Sequence, residues 1–376
     1  SRVNRPGDFI VPFEIPDVAF GRSTRLIDWN LQQPRMVHYN VAVERELPFD
    51  MAVSVAYAGS RGYNLVTTTE GNPTIPQTLP DGRVYWTGAE ERINPAWDTM
   101  ELKIADGRSW YNSLQLKVNK RMSRGLQFQG SFTWAKTEDT GSTVSGQDTG
   151  GTQHQGRSNV FDLEFDKGPA VHDVRYNFRF SMIYGPTALL PPASVAGKIL
   201  NGWQIASIVT LTSGQPFTVA LGTNRSRSQT LNGPSGLERP DLVPGVRIED
   251  VTSGVSRGCG SIPAGTPVGT PELWYDPCAF AIPAAGTLGN VGSNSLRLPG
   301  YATVDLSLVK RVPLGEVARL ELRGEVFNLL NRANFGVPDR IVYVGRNDVG
   351  APVSTAGQIS SAGRARQVQL AVRFVF

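Results

Sequence analysis

Acidic side chains at alternate positions are the first residues in this sequence whose spacing could serve chemistry. Asp162, Glu164 and Asp166 would point to one side of an extended segment, as carboxylates around a hard cation such as Ca²⁺ can do. They are not part of an Asp-x-Asp-x-Asp-Gly pattern with a closing Glu, which a typical calcium loop needs. We therefore predict neither a metal site nor a cofactor.

Histidines and possible nucleophiles form no catalytic pattern. His38, His154 and His172 are far apart, and none lies near a Ser or Cys in a motif such as G-x-S-x-G. The Gly-rich piece 265–269 lacks the Lys-Ser/Thr ending of a phosphate-binding loop. We predict that the protein is not an enzyme.

Two cysteines, Cys259 and Cys278, lie in one segment that is rich in Gly and Pro. They lack the paired C-x-x-C spacing of a zinc site, and they are too few for a disulfide scaffold. One disulfide would suit an oxidising compartment and would restrict an otherwise loose loop. Two free thiols are the alternative that the spacing leaves open.

Aromatic residues are frequent in the segments between the apparent strands. Such rings could stack on sugars or hold peptides at the surface of the protein. The alternative is that they pack the loops onto one another. The residues concerned are Tyr85, Trp86, Trp97, Trp110, Trp274 and Tyr275.

Charged residues alternate with apolar ones in several segments. In 319–325, Arg or Glu occupies every second position, and Leu320 and Leu322 fall between them. Successive side chains of a strand point to opposite faces, so these charges share one face, which must be wet. They could contact a plug inside a barrel or line a substrate path, or form cross-strand ion pairs within a polar wall. The charges that we assign to a lumen are Arg175, Arg179, Arg319, Glu321, Arg323, Glu325 and Arg373.

About nine segments show this alternation of apolar and polar residues. They are centred on 37–43, 51–57, 114–118, 126–134, 176–184, 203–211, 302–308, 320–326 and 368–376. We expect strands of roughly 10 to 14 residues, which exceed the ~5 to 6 of soluble sheets and suit tilted strands that cross a bilayer. The 40 Gly and 26 Pro fit many strands joined by turns.

The connections between these segments alternate between short and long. Short ones cover 47–50, 122–125 and 312–316, and a medium one covers 185–200; long ones cover 60–109, 137–170, 214–300 and 331–364. Outer-membrane barrels have short periplasmic turns and long extracellular loops. The alternation predicts an all-β, transmembrane antiparallel β-barrel. Tyr184 and Trp203 would mark its periplasmic interface, and Trp134 and Tyr301 its outer one.

Other classes of protein fit less well. No segment approaches the roughly 18 consecutive apolar residues of a membrane-spanning helix. The 37 Lys and Arg interleave with 33 Asp and Glu, so no clustered basic face points to nucleic acid. A soluble all-β binding module is the alternative, but nearly every strand would then expose an apolar face to water.

Residues 326–335, VFNLLNRANF, resemble the penultimate strand and the following loop of TonB-dependent outer-membrane receptors. These receptors commonly carry an Asn-Leu-x-Asn/Asp element there and finish on an aromatic residue. Three further stretches, 115–140, 201–219 and 275–308, resemble the Oar-like, carboxypeptidase-regulatory-like branch of that family. The resemblance extends from about Pro34 to Phe376.

The resemblance implies the C-terminal portion, about nine to ten strands, of a barrel with roughly 22 strands whose lumen is closed by a plug. Residues 1–33 would be an extracellular loop that enters the barrel, and residues 34–376 would be the barrel segment. The plug, the remaining strands and the energy-coupling box have no counterpart in the sequence. We therefore expect a fragment of a longer chain.

The same resemblance implies a place in the outer membrane of a Gram-negative cell, in contact with its lipid. The function that it implies is uptake of a bulky nutrient, with energy from a coupling protein on the periplasmic side. A structural or adhesive barrel that binds surfaces through its loops is the alternative. Phe374 and Phe376 resemble the terminal signal that the outer-membrane assembly machinery reads.

Overall fold

Nine long strands dominate the computed structural model, which describes residues 23–141, 157–186, 190–191, 194–230, 238–315, 317–344 and 350–376. The strands are β1 (Arg35–Leu47), β2 (Met51–Glu70), β3 (Met100–Ser123), β4 (Leu126–Asp139), β5 (Tyr176–Tyr184), β6 (Trp203–Thr212), β7 (Tyr301–Leu314), β8 (Ala318–Phe327) and β9 (Gln367–Val375). All nine predicted strands are present, which confirms the all-β fold class. Residues 1–22, 142–156, 231–237 and 345–349 of the predicted loops lie outside the described residues.

One antiparallel sheet contains the nine strands in chain order, from β1 to β9. Consecutive strands lie side by side, as in an up-and-down barrel. Among the described residues, β1 and β9 form the two margins of this sheet, and each pairs with one neighbour. The sheet is a portion of a barrel wall, as predicted.

The two faces of the sheet differ in polarity. The register places Leu320 opposite Phe374 and Leu322 opposite Val372, and the same apolar face continues across the other strands. Leu370 on this face is 81% exposed. Such a surface is unfavourable in water and is covered by hydrocarbon in a bilayer. We call it the outer face, and we call the opposite, polar face the inner wall.

Aromatic residues mark the extracellular end of the outer face. Trp134 pairs with Tyr176 there, and the hydroxyls of Tyr39 and Tyr57 donate to Oδ1 of Asn112 over 3.1 and 2.8 Å. Tyr301 pairs with Thr212 and lies on the inner wall, so its predicted place among the lipid-facing aromatic residues is wrong. A difference of one position in register reverses the face of a side chain.

The hairpin of β2 and β3 is longer than the sequence predicted. β2 has 20 residues and β3 has 24, whereas about 9 to 11 residues suffice to cross a bilayer. The predicted loop 60–109 is therefore strand at both ends, and only 71–99 connects the two strands. Beyond the membrane neither face must be apolar, so the alternation that reveals a strand is lost.

A short strand, Thr24–Ile27, lies parallel to Met100–Lys103 in this extension. Nε of Arg25 lies 3.0 Å from Oε2 of Glu101. The described part of the predicted N-terminal loop, 1–33, therefore contains a strand.

Tight turns at 48–50 and 124–125 close one end of the sheet, and the short connection between β7 and β8 lies at the same end. Arg124 and Gly125 have φ of 50° and 78°, the pattern of a type I′ hairpin turn. A Cβ on residue 125 would lie 2.3 Å from the carbonyl oxygen of Gly185, so only glycine fits. Since short turns face the periplasm, this is the periplasmic end. The fourth connection here, 185–202, contains helix α1 (Val195–Leu200).

The long connections at the other end contain short elements. Strand pairs join Gln77–Thr78 to Val84–Tyr85, Pro216–Phe217 to Leu296–Arg297, Ala220–Leu221 to Ile341–Tyr343 and Asp241–Leu242 to Phe280–Ala281; Gly168–Pro169 pairs with the end of β4; and 3₁₀ helices cover Leu163–Asp166, Ile248–Asp250 and Pro277–Ala279. No helix in the described ranges is long and apolar enough to cross a membrane.

Candidate functional site

The inner wall forms a polar recess near the middle of the sheet. Its volume is about 580 Å³, and its polar lining is Lys117, Asn119, Gln129, Ser131, Arg179, Ser181 and Thr210. These side chains come from β3, β4, β5 and β6, whose alternate residues point to the same side. The recess carries two cations, and no carboxylate lines it.

A second recess, of about 630 Å³, lies on the same wall towards the long loops. Its polar lining includes Tyr111, Gln115, Thr133, Thr137, His172 and Asn177. The two recesses make the inner wall a hydrated, hydrogen-bonding surface, which is what a path for a polar solute or a docking face for a protein domain needs.

Ion pairs on β7 and β8 use several of the predicted lumen charges. Glu321 lies 2.8 Å from Arg323 and 3.4 Å from Arg311, and Arg323 lies 3.7 Å from Glu325. These residues therefore fit the alternative of an ion-paired polar wall. Within the described ranges, no ion pair involves Arg179, Arg319 or Arg373, so these cations can meet another partner.

Asp173 connects the inner wall to the loops. Its side chain is fully buried and accepts from the amide of Thr137 at 2.6 Å, from Nε of Arg175 at 3.1 Å and from Nη2 of Arg297. Arg297 also donates to the carbonyl oxygen of Asp173. One carboxylate thus joins β4, the residue that precedes β5 and the end of the connection 213–300. The alternation pattern could not reveal it, because Asp173 lies outside the strands.

The described parts of two long connections, 213–300 and 328–366, fold together into what we call the loop assembly. They share a hydrophobic core of Phe217, Val219, Leu221, Val251, Tyr275, Ala279, Phe280, Val291, Leu296, Val342 and Tyr343. The hydroxyl of Tyr275 donates to the carbonyl oxygen of Asp339 over 2.8 Å, and the hydroxyl of Tyr343 donates to the carbonyl oxygen of Phe280 over 2.7 Å. Burial raises the pKa of Tyr275 well above its usual range. The assembly is a packed unit on the extracellular side.

The connection 71–99 is attached to this assembly. The amide of Trp86 donates to the carbonyl oxygen of Gly286 at 2.8 Å. The hydroxyl of Thr74 donates to the carbonyl oxygen of Ser228 at 2.8 Å. Arg92 adds a bond to the carbonyl oxygen of Gln229. The connection 71–99 and the two connections of the loop assembly therefore hold one another in place.

The six aromatic residues that could contact a ligand or pack the loops lie in different environments. Trp86 and Tyr275 are 1% and 0% exposed, so in this structure they pack the loops and cannot contact a ligand. Trp110 is in β3, on the outer face, with the ammonium of Lys167 4.7 Å from its ring centre. Trp274 donates from Nε1 to the carbonyl oxygen of Arg297. Tyr85, Trp97 and Trp274 keep partial exposure.

The three carboxylates with metal-like spacing have separate partners. Asp162 caps a 3₁₀ helix, Glu164 lies 2.9 Å from Lys167, and Asp166 lies 3.0 Å from the buried Arg239. In the part of the chain that the structure describes, no three His, Cys, Asp or Glu residues converge on a metal position. Their role here is to order the loop 157–169.

Cys259 and Cys278 are joined by a disulfide across a separation of 19 residues. We expect Cys278→Ser to loosen the loop assembly by roughly 3 kcal/mol, the loop-closure entropy of such a ring. Thiol alkylation with and without reductant, followed by mass measurement, shows whether the two cysteines form a disulfide or are free thiols. Full labelling of the native protein without reductant would contradict the disulfide.

We expect Glu238 to make the stability of the loop assembly depend on pH. Burial raises its pKa, although the amides of Arg225 and Ser226 donate to its carboxylate at 2.7 and 2.8 Å and favour the ionised form. A raised folded pKa means that its contribution to stability is complete below the ordinary carboxyl pKa and is lost as the pH rises through the raised value. Resistance of the loops to proteolysis should therefore fall towards neutral pH. This fall should be weaker in Glu238→Gln, and an equal pH dependence in both proteins would contradict the assignment.

Several solved structures are similar to this chain. The outer membrane transporter YddB from Escherichia coli has 10% identity and a TM-score of 0.43, over 92% of this chain and 33% of that one. FpvA from P. aeruginosa, bound to heterologous pyoverdines, has 11% identity and a TM-score of 0.40, over 92% and 27%. The FrpB iron transporter from Neisseria meningitidis has 12% identity and a TM-score of 0.40, over 93% and 32%. The chain spans about a third of the length of these proteins.

The sequence itself matches one protein family over almost its full length. No curated protein matches the sequence of this chain. Residues 10–369 match the family described as outer membrane beta barrel domain, and the matched region contains the sheet with its apolar outer face and polar inner wall. The chain belongs to the outer membrane beta barrel domain family, and its location is the outer membrane.

Proposed function

We propose that this chain is the barrel portion of an outer-membrane transport protein of the TonB-dependent receptor type, in its Oar-like branch, that takes up a bulky nutrient. The observation that carries the proposal is the polar inner wall beneath a folded extracellular loop assembly. Such a wall offers hydrogen bonds along its height, and the loops above it can select a cargo. The remaining strands and a plug would be supplied by the rest of the parent chain.

Three cations that form no ion pair with the described residues support a partner in the lumen. Arg179 lies in the recess of about 580 Å³, and Arg319 and Arg373 lie lower on the same wall. Guanidinium groups that face a lumen without a partner can pair with carboxylates of a plug or of a cargo. Energy would come from a coupling protein on the periplasmic side through the N-terminal region of the parent chain.

Uptake in cells tests the proposal. The full-length parent protein is expressed in a strain that lacks it, and accumulation of labelled peptides, glycans and metal chelates is compared with and without an uncoupler of the inner-membrane proton gradient. We expect one cargo class to accumulate only with the gradient intact. Accumulation of no class, or accumulation that does not respond to the uncoupler, would contradict energised uptake.

An adhesive barrel is the second candidate, and the loop assembly favours it. A loop region with its own core and a disulfide presents a fixed surface, which suits recognition of a surface or a protein partner. Replacing residues 213–300 by a short hairpin distinguishes the two functions. Loss of cell contact with normal uptake would favour adhesion, and loss of uptake would favour transport.

Phe374 and Phe376 are the residues that we propose for recognition by the outer-membrane assembly machinery. Their rings are exposed and lie 6.0 Å apart between centres. In the full-length protein, Phe376→Ala should lower the amount of folded barrel several-fold, because an exposed aromatic anchor is lost. The measurement is the fraction of protein that keeps its fast gel mobility without heating. Val375→Ala, on the other face of the strand, is the control, and equal folding of both variants would contradict the role.

A further inference from the structure

Helix α1 carries an apolar surface that the described part of the protein leaves uncovered. Val195, Ile199 and Leu200 are 76%, 60% and 50% exposed. At about 100° per residue, these side chains and Ala196 share one arc of about 140°. Gly197 is buried against the protein, and Lys198 lies outside the arc. Exposure of this arc to water is unfavourable, so a different environment must cover it.

Two side chains of the outer face hold the C-terminus of α1 against the sheet. Nε1 of Trp203 donates to the carbonyl oxygen of Ile199 over 2.9 Å. Nζ of Lys310 donates to the carbonyl oxygens of Lys198 and Ile199 over 2.9 and 2.8 Å, and to that of Asn201. The same ammonium lies 5.3 Å from the ring centre of Trp203. A cation at the last turn of a helix also compensates the negative end of its dipole.

The register fixes where this attachment lies. Trp203 pairs with Lys310, and the next pair on the same face is Ile205 with Leu308, so both belong to the lipid-covered outer face. The connection 185–202 is at the periplasmic end of the sheet, next to the tight turns. The apolar arc of α1 therefore continues the membrane-facing surface at the periplasmic rim.

We propose that α1 is an in-plane membrane anchor, whose residues Val195, Ile199 and Leu200 insert among the acyl chains of phospholipids in the periplasmic leaflet. Helices that lie in an interface bind by burying an apolar face and by placing cations near anionic headgroups. Lys198, exposed beside the arc, is the residue that meets the phosphates. The anchor fixes the depth of this part of the rim in the bilayer, and it does not depend on the transport function.

Depth measurements along the helix test the anchor. The full-length protein, with Cys259→Ser and Cys278→Ser, is reconstituted in vesicles of phosphatidylethanolamine and phosphatidylglycerol. Nitroxide labels are placed by Val195→Cys, Ile199→Cys and Lys198→Cys, and their collision rates with oxygen and with a water-soluble nickel chelate are compared. We expect the oxygen-to-nickel ratio to be several-fold higher at 195 and 199 than at 198. Position 198 is the matched control because it is on the same helix outside the arc.

Two outcomes would overturn the proposal. Equal access of the nickel chelate to all three labels would place α1 in water. Protection of 195 and 199 from both reagents would mean that a protein partner or a second copy of this chain covers the arc. Lys310→Met provides a separate test of the attachment: the ratio at 199 should fall towards that at 198, while gel mobility without heating shows that the barrel has folded. An unchanged ratio in this variant would remove Lys310 from the anchor.

Discussion

Replacing Tyr275 by alanine should unfold the loop assembly while the nine-stranded sheet stays in the membrane. The ring of Tyr275 is fully buried, with the rings of Phe217 and Phe280 each 6.0 Å away between centres. Loss of a buried aromatic ring from a packed core costs roughly 3 to 5 kcal/mol. The carbonyl oxygen of Asp339 also loses its hydrogen-bond donor. A small core built from two connections has little stability in excess of that loss.

The measurement is protease cleavage of the loops on intact cells, together with heat-dependent gel mobility of the barrel. Tyr275→Phe is the matched control, because it keeps the ring and removes only one hydrogen bond, which is worth about 1 kcal/mol. We expect rapid cleavage of the alanine variant, slow cleavage of the phenylalanine variant and folded barrel in both. Equal resistance of Tyr275→Ala and the native protein would contradict a shared core.

The strands could be predicted because the membrane imposes a simple rule on them. Each crossing segment must be apolar on one face, and the alternation in 319–325 and 368–376 shows this directly. The alternation of short and long connections then predicted the order of the strands in the sheet, and the structure has them in that order. The rule ends at the surface of the bilayer, which is why the outer parts of β2 and β3 were predicted as loop.

The loop assembly could not be predicted, because its contacts join residues that are far apart in the sequence. Ala220–Leu221 pairs with Ile341–Tyr343, and Phe217 packs on Tyr275, without any period in the intervening residues. Gly and Pro in these stretches indicate turns but not their partners. An aromatic residue in such a stretch can serve a core or a binding surface equally well. The predicted ligand contacts Trp86 and Tyr275 are core residues for this reason.

The role of Lys310 at the membrane could not be predicted from the sequence either. It occupies an apolar position in the alternation of β7 and is paired with Trp203. Only the three-dimensional placement of α1 shows that its ammonium meets backbone carbonyl oxygens rather than hydrocarbon. Long cationic side chains near an interface can reach polar groups in this way.

Replacing Asp173 by alanine should separate the loops from the top of the sheet. The carboxylate is buried, and its loss leaves Arg175 and Arg297 without their common partner and the amide of Thr137 without an acceptor. Each hydrogen bond to a charged group contributes roughly 1.5 to 3 kcal/mol to stability. The two guanidinium groups are partly exposed, which lowers the total free energy lost with the carboxylate. Asp173→Asn should have a smaller effect, because an amide oxygen can still accept from Thr137.

Hydrogen exchange of backbone amides measures this separation locally. We expect faster exchange at Thr137 and in residues 296–298 for Asp173→Ala, an intermediate rate for Asp173→Asn, and no change in β8 and β9. Asp81→Ala is the control: its ion pair with Arg83, at 2.7 Å, is exposed, and such pairs contribute about 0 to 1 kcal/mol. If Asp173→Ala exchanged no faster than the control, the loops would be held by their own core alone. If the faster exchange is found, one buried carboxylate sets the position of the extracellular loops on the barrel wall. A substitution at Asp173 would then alter the loop assembly without changing any residue of that assembly.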